Sequence, residues 1–223
     1  MQHCGQNKFS KKSPRAFYPT AVGHDAQMSP LLSLHETLRQ RTESEHALIE
    51  GSMPVLSPDF TIANYASLLR RLHGFYEPFE KLIDHQLGER SEIAQLLAWH
   101  ARKKQPWIQE DLQFMGKWAE FAPIAHCEDL PTISSLSEVI GALYVTEGST
   151  LGGSFIQRHL HARAEFEPLP LRFFSSHQQN TGIMWRSLLI QAESLVKLER
   201  FEEAATAAVD TFRKLNAWLT VRS

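Results

Sequence analysis

Two groups of residues have types and spacings suited to binding a metal or a flat ligand. The first is His46 with Glu50 four residues later, which on a helix places the carboxylate one turn from the imidazole. At about 100° per residue, His46 falls about 80° from Leu38, at the margin of an apolar stripe. A carboxylate that accepts from one ring nitrogen leaves the other nitrogen available to a metal. The alternative is a histidine at the edge of the core beside an ordinary surface glutamate.

The second group is Gly148, Gly152 and Gly153, in a stretch whose flanks are strongly helical. Each glycine costs such a helix roughly 1 kcal/mol relative to alanine. Gly148 and Gly152 share one helix face, and Ser149 and Gly153 share the neighbouring face. Glycines placed in this way let a flat ligand approach the helix backbone. Close helix–helix packing and a break between two shorter helices are the alternatives.

Together the two groups describe a slot, with an imidazole below and a glycine-lined helix above. Heme fits such a slot when one histidine holds its iron and the opposite face stays open to a diatomic gas. Arg39, one helix face away from His46, could meet a heme propionate. It could equally be a solvated surface arginine.

The elements that must position these residues are helical almost throughout from Leu31. Ser135 and Glu138 form a capping-box pattern that predicts the start of the glycine-containing helix. No run of alternating β-branched residues predicts a strand. The sequence therefore predicts an all-α, single-domain bundle of about seven or eight helices over residues 30–223. Residues 1–29 lack periodicity and predict a flexible N-terminal tail, with a targeting or docking segment as the alternative.

Several helix boundaries follow from turn and capping residues. Ser57–Pro58 is expected to start the second helix, and Pro78 predicts a kink or break near Glu77. Further helices are predicted over about 92–103, 106–116, 181–198 and 201–219.

Composition excludes several classes of protein. The 223 residues carry 23 basic and 25 acidic side chains, a formal net charge of −2, which argues against a nucleic-acid partner. No stretch approaches the ~20 apolar residues of a membrane helix, so no membrane association is expected. Two cysteines, Cys4 and Cys127, are too few for a disulfide scaffold or a four-cysteine zinc site. The N-terminus lacks the apolar run of a secretory signal, so a cytoplasmic location is expected. There is no GxGxxG motif and no P-loop, and Cys127 is interpreted as a loop thiol rather than a nucleophile.

Over most of residues 31–219 the chain resembles the heme oxygenase family in its bacterial form. The most specific match is GALYVTEGSTLGG at 141–153, which is similar to the family's distal helix. LRQRT at 38–42, followed by His46, resembles its proximal helix. Supporting matches are RKKQPW at 102–107 with Asp111–Leu112, then Phe173–Phe174 and Trp185.

The resemblance implies a heme oxygenase-like helical bundle with the ligand between the proximal and distal helices. It implies His46 as the axial iron ligand, oriented by Glu50. The remaining implied contacts are distal backbone contact at Gly148, Gly152 and Gly153, and propionate contact at Tyr144 and Arg39.

One position departs from the animal enzymes of the family. They carry an aspartate just after the first distal glycine, where this chain has Ser149, as bacterial relatives tend to. That aspartate orders water around bound oxygen. Proton delivery in this chain must therefore be built differently, and Ser149 and backbone-held waters are the candidate members of the network.

The resemblance also implies the reaction. Heme b, both substrate and prosthetic group, is cleaved to biliverdin with release of CO and ferrous iron, using O2 and external electrons. The electron donor is expected to be a separate reductase or ferredoxin-like protein, and a bilin-binding photoreceptor is a candidate recipient of the product. Arg70–Arg71 and Arg102–Lys104 are either docking patches for the donor or ordinary solvated faces. The alternative functions are a non-catalytic heme carrier or gas sensor, a thiaminase-like enzyme with a reactive cysteine, and a purely structural bundle.

Overall fold

The structure, a computed structural model, describes residues 32–88, 91–116 and 125–220. Within these ranges the chain is all-α, with nine α-helices and no strand, which confirms the predicted fold class. The predicted tail, residues 1–29, lies outside the described residues. None of the described helices is long and apolar enough to span a membrane. The helices are α1 (Leu34–Ser52), α2 (Ile62–Leu87), α3 (Ser91–Leu96), α4 (Trp99–Arg102), α5 (Gln105–Phe114), α6 (Leu136–His161), α7 (Arg172–Ser175), α8 (Thr181–Leu195) and α9 (Phe201–Thr220).

Helix α1 begins at a reciprocal cap. Ser33 Oγ accepts from the Glu36 backbone N–H, and the Glu36 carboxylate accepts from the Ser33 N–H at 3.0 Å. The buried side of α1, which includes Leu38 and Ile49, packs against α9. Ion pairs between the two helices, among them Arg213–Glu45 at 2.8 Å, show that α1 and α9 run in the same direction.

Helix α2 differs from the sequence prediction at two places. It begins after Thr61, whose side chain accepts from the Asn64 N–H, and not at Ser57–Pro58. It then continues through Pro78 without the predicted break. Proline has no N–H to donate to the carbonyl four residues earlier, but the Gly74 carbonyl instead accepts from the Cys127 N–H at 2.9 Å. The N–H of Cys127, from a neighbouring loop, therefore provides the hydrogen bond that Pro78 cannot donate to the Gly74 carbonyl.

The helix predicted over 92–103 is two short helices, α3 and α4. They are separated at Ala98, which adopts the left-handed conformation with φ of 49°. The turn directs Arg102 into the interior, where its Nε donates to the Leu97 carbonyl at 2.6 Å. Sequence periodicity missed the break because the apolar pattern continues across it.

Helix α6 begins at the predicted Ser135–Glu138 capping box and runs unbroken through its glycines to His161. The alternative of a helix break is therefore wrong. A Cβ at Gly141 would lie 2.0 Å from the Ala204 carbonyl oxygen of α9, and one at Gly153 would lie 2.2 Å from the Phe174 carbonyl oxygen of α7. At Gly152, by contrast, a Cβ would meet nothing within 4 Å. Close packing thus explains Gly141 and Gly153 but leaves Gly152 without a packing role.

This difference predicts opposite stability effects at neighbouring positions. Gly153→Ala should destabilise the protein by about 1–3 kcal/mol, because its methyl group would collide with α7 backbone that cannot easily move. Gly152→Ala should stabilise by up to about 1 kcal/mol, because only helix propensity changes there. Urea unfolding of the two variants and the wild type measures both effects. Equal effects of the two substitutions would contradict the packing assignment.

Candidate functional site

One face of α6 combines glycines with apolar side chains that no other element covers fully. Gly148, Gly152 and Phe155 recur at spacings of four and three, and Tyr144 and Leu151 flank them on the same face. Leu151 is 41% exposed and Phe155 is 56% exposed. We call these five residues the α6 stripe. An exposed apolar stripe with a glycine floor is a surface suited to a flat apolar ligand.

At one end, the α6 stripe packs against aromatic rings from two other helices, α8 and α1. The Trp185 ring of α8 lies 3.7 Å from where a Gly148 Cβ would be, and its centroid is 5.3 Å from that of Tyr144. His35 of α1 meets both rings, with its centroid 6.1 Å from that of Tyr144 and 6.0 Å from that of Trp185. Helices α1 and α6 therefore approach each other at His35, a residue that no sequence pattern distinguished.

Burial, followed by the charge of Arg39, lowers the pKa of His35. The ring is consequently neutral near pH 7, the form in which an imidazole can accept a metal. No spacing signal distinguished His35, because its role as an aromatic partner depends on α6 and α8 and not on its own helix.

His46 lies on the same face of α1 as His35 and Arg39, at the opposite end of the helix. Its Nδ1 is 3.6 Å from a Glu50 carboxylate oxygen, with 46% of the His46 side chain exposed. The ring also meets the edge of Phe212 in α9, at a centroid distance of 5.8 Å. The structure thus pairs His46 with Glu50 as expected and leaves Arg39 exposed. Within the described residues, however, the α1 ring in contact with the α6 stripe is that of His35.

Ser149 projects to a different side of α6 from the stripe. Its hydroxyl donates to the Thr146 carbonyl at 2.8 Å, and a hydrogen bond joins it to the buried hydroxyl of Tyr76 in α2. Burial raises the pKa of Tyr76 well above its usual value, and the nearby Glu80 charge raises it further. Ser149 therefore connects α6 to a buried polar region that the sequence did not predict.

The centre of that region is Glu147, which immediately precedes Gly148 and is fully buried. Its carboxylate forms ion pairs with Arg102 and Lys104 and lies 3.1 Å from His177 Nε2. Burial alone would raise the pKa of Glu147, but Lys104, His177 and Arg102 outweigh it and lower the pKa to about 2. The carboxylate is therefore ionised at every pH of interest.

The Arg102 side chain extends the Glu147 ion pairs to α8. Its Nη2 donates to Ser187 Oγ at 2.9 Å and to the Met184 carbonyl at 3.1 Å. Arg102 and Lys104 are each only 2% exposed. These two side chains therefore form neither a docking surface for the electron donor nor a solvated face, and both interpretations of the 102–104 patch are wrong for them. Each cation is instead required to neutralise a buried carboxylate.

The other supporting sequence matches lie around the same network. The Trp107 ring is covered by Lys104 Nζ at 4.8 Å and meets the edge of His177 at 5.0 Å. Asp111 accepts from the Arg172 and Phe173 N–H groups at 2.7 and 2.8 Å, and thereby fixes the start of α7. These residues join α5 to the start of α7 and to two of the side chains that surround Glu147.

Glu80 is a second buried carboxylate near Lys104. It accepts from the Lys104 and Gln105 backbone N–H groups, the second at 3.2 Å. Burial raises the pKa of Glu80 to about 7 despite these hydrogen bonds. This carboxyl group therefore changes its protonation near neutral pH.

Cys127 is a buried loop thiol, as expected. Burial raises its pKa, which is the opposite of what a thiolate nucleophile needs. A thiaminase-like reaction through this cysteine is therefore not supported.

Comparisons with known proteins agree with this arrangement. The family model described as Heme oxygenase matches residues 32–220. The chain is 31% identical over 144 residues to a Heme oxygenase of Xanthomonas campestris pv. campestris (strain 8004), covering 65% of this chain and 78% of that protein. It also superposes on the NO- and CO-bound heme oxygenase of Neisseria meningitidis with a TM-score of 0.65 and 22% identity, covering 84% of this chain and 90% of that one. At that identity the superposition shows a shared fold.

The Glu147 ion pairs predict a large stability effect. Glu147→Gln should destabilise the protein by about 3–5 kcal/mol, because it leaves two buried cations without a neutralising charge. Urea unfolding measures the change, with exposed Glu167→Gln as the control expected to stay within about 0.5 kcal/mol. A Glu147→Gln variant as stable as the control would show that the network does not hold α6 in place.

The raised pKa of Glu80 predicts a specific pH dependence. Between its ordinary value of 4.5 and about 7 the native state holds more protons than the unfolded state, so this group's contribution to stability falls as pH rises. The loss amounts to about 3 kcal/mol once pH exceeds 7. Glu80→Gln should therefore be more stable than the wild type at pH 8 and nearly equal to it at pH 5, by urea unfolding at both pH values. A difference that does not change with pH would contradict the assignment.

Proposed function

The chain belongs to the heme oxygenase family, and on that basis we propose that the α6 stripe and the His46 side of α1 hold heme between them. The enzyme oxidises heme to biliverdin with release of CO and ferrous iron, using O2 and external electrons. Bound heme supplies the iron at which oxygen is reduced. The chain's residues hold the ring, exclude water from one of its faces and supply protons.

The exposed apolar surface of α6 is the observation that carries this proposal. Leu151 and Phe155 remain largely exposed, and Gly152 has open space above it, on the helix that matches the family's distal segment. A porphyrin face lying there would cover these apolar groups, at a gain of roughly 25 cal/mol for each Å² removed from water. Glycine allows the ring to lie against the helix backbone.

The proposed iron ligand is His46, through the ring nitrogen that faces away from Glu50. Its Nδ1 lies on the Glu50 side, so Nε2 is the atom available to iron. A carboxylate partner orients a ligating imidazole and increases its basicity toward metal. Partial exposure of the side chain supports access of a ligand to this ring. Arg39, exposed on the same face of α1, and Tyr144 at the end of the α6 stripe are the proposed propionate contacts.

His35 is the structural competitor for that role. It is the neutral α1 histidine that contacts Tyr144 and Trp185, next to Gly148. However, its ring already packs between two aromatic side chains, and its backbone N–H donates to Glu193 at 3.1 Å. We therefore assign His35 to positioning the aromatic contact and His46 to the iron.

Protons are proposed to arrive from the α2 side of α6. Ser149 is hydrogen-bonded to Tyr76, and the Tyr76 hydroxyl is close enough to Glu80 to respond to its charge. With a pKa of about 7, the Glu80 carboxyl can both hold and release a proton at neutral pH. These three groups would take the place of the aspartate that animal enzymes carry.

Electrons are proposed to come from a separate reductase or ferredoxin-like protein, because the sequence contains no GxGxxG dinucleotide motif. Delivery of the bilin product to a photoreceptor stays a prediction.

A pair of histidine variants tests the assignment. In a hemin titration followed by an electron donor in air, the wild type should develop a saturable Soret band that decays as the red band of biliverdin grows. His46→Ala should lose turnover and bind hemin at least about tenfold more weakly, because it removes the proposed iron ligand. His35→Ala should retain turnover, since it removes only a packing contact.

The opposite pattern would transfer the iron to His35 and overturn the assignment. A Soret band in the wild type that persists through reduction would indicate a heme carrier or sensor.

A further inference from the structure

A second group of side chains able to ligate a metal lies on α2 and the loop at 125–127, outside the α6 stripe and the His46 side of α1. It consists of His73, Glu77 and His126, each offering one ligand atom within 4.8 Å of the other two. A Glu77 carboxylate oxygen is 3.6 Å from His73 Nδ1 and 3.0 Å from His126 Nε2. The two imidazole rings are nearly parallel, at 16° and a centroid distance of 6.4 Å. The carboxylate oxygen is thus shared by two ring nitrogens.

The fold holds these three groups together before any ion is bound. His73 and Glu77 are four residues apart on α2 and therefore share a face. His126 comes from a loop that is fixed to the same helix, because the Cys127 N–H donates to the Gly74 carbonyl. A Cβ at Gly74 would lie 2.3 Å from the Ala125 carbonyl oxygen, so only glycine allows the loop this close.

We propose that His73, Glu77 and His126 bind a divalent transition-metal ion of the zinc class. Two imidazole nitrogens and one carboxylate oxygen are a ligand set typical of zinc sites that keep a further position for water. The separations of 3.0 and 3.6 Å suit ligands that each lie ~2.0–2.2 Å from one shared ion. His126 is about half exposed, which gives the ion a path from solvent. The ion would join the 125–127 loop to α2.

The protonation states suit this role. Burial lowers the pKa of His73, so its ring is neutral near pH 7 and can ligate. A hydrogen bond from Lys81, together with nearby positive charge, lowers the pKa of Glu77, which keeps the carboxylate ionised. Among the described residues, the charged groups that act on His73 and Glu77 are Lys81 and the members of the cluster themselves.

Lys81 raises the main competing explanation, that the cluster is only a group of ion pairs. Its Nζ donates to Glu77 Oε1 at 2.7 Å, whereas both histidines approach Oε2. One oxygen therefore remains directed between the imidazoles while the other is paired. The Lys81 side chain is 70% exposed, so it can move away when a cation binds.

The test is isothermal titration of the full chain, without hemin, with Zn²⁺ at pH 7.5, followed by Co²⁺ as a spectroscopic probe. The wild type should bind one Zn²⁺ at this site, and Co²⁺ should give visible absorption bands. His126→Ala and Glu77→Gln should each weaken Zn²⁺ binding by at least about tenfold. These two positions are chosen because they are partly exposed, and circular dichroism checks that each variant is folded.

His85→Ala is the matched control, an exposed histidine on the same helix that should leave Zn²⁺ affinity unchanged. Equal Zn²⁺ affinity in wild type and His126→Ala would overturn the proposal, as would the absence of saturable binding by the wild type. Neither measurement depends on heme, so the outcome is independent of the heme assignment.

Discussion

The arrangement of the site depends on a single buried carboxylate, that of Glu147. An ionised group without exposure to water is tolerated only because Arg102, Lys104 and His177 surround it. These partners come from α4, from the residue before α5 and from the turn before α8, so their contacts with Glu147 join α6 to three other parts of the bundle. Gly148 follows Glu147 directly, so the ion pairs of Glu147 help to fix the position of this glycine.

The glycines of α6 serve two different purposes. Gly141 allows the backbone of α9 to approach near the start of the helix, and Gly153 allows that of α7 to approach on the side next to the α6 stripe. Gly152, about 20° around the helix from Gly141 but three turns further along, lies in open space beside the exposed side chains of Leu151 and Phe155. A helix held by close backbone contacts at Gly141 and Gly153 can keep this stretch of apolar surface uncovered, and that surface is where a flat substrate gains the most from burial.

Sequence patterns predicted what depends on local geometry. The all-α class, the capping box at Ser135 and the one-turn pairing of His46 with Glu50 all follow from residues a few positions apart. The patterns failed where a distant group decides the outcome. α2 continues through Pro78 because a loop some fifty residues away donates to the Gly74 carbonyl. Arg102 and Lys104 resemble a surface patch until the fold brings a carboxylate between them.

The two histidines of α1 illustrate why residue type alone does not assign a ligand. His35 is kept neutral by burial, but its ring is committed to contacts with Tyr144 and Trp185. His46 is partly exposed, has a carboxylate near one nitrogen and packs against the edge of one aromatic ring, that of Phe212, so its other nitrogen can bind with less disturbance of packing. Binding at His35 would require the aromatic contact above Gly148 to separate first. The smaller rearrangement lies with His46, which supports the proposal that one part of this α1 face contacts α6 and another part, about three turns further along, holds iron.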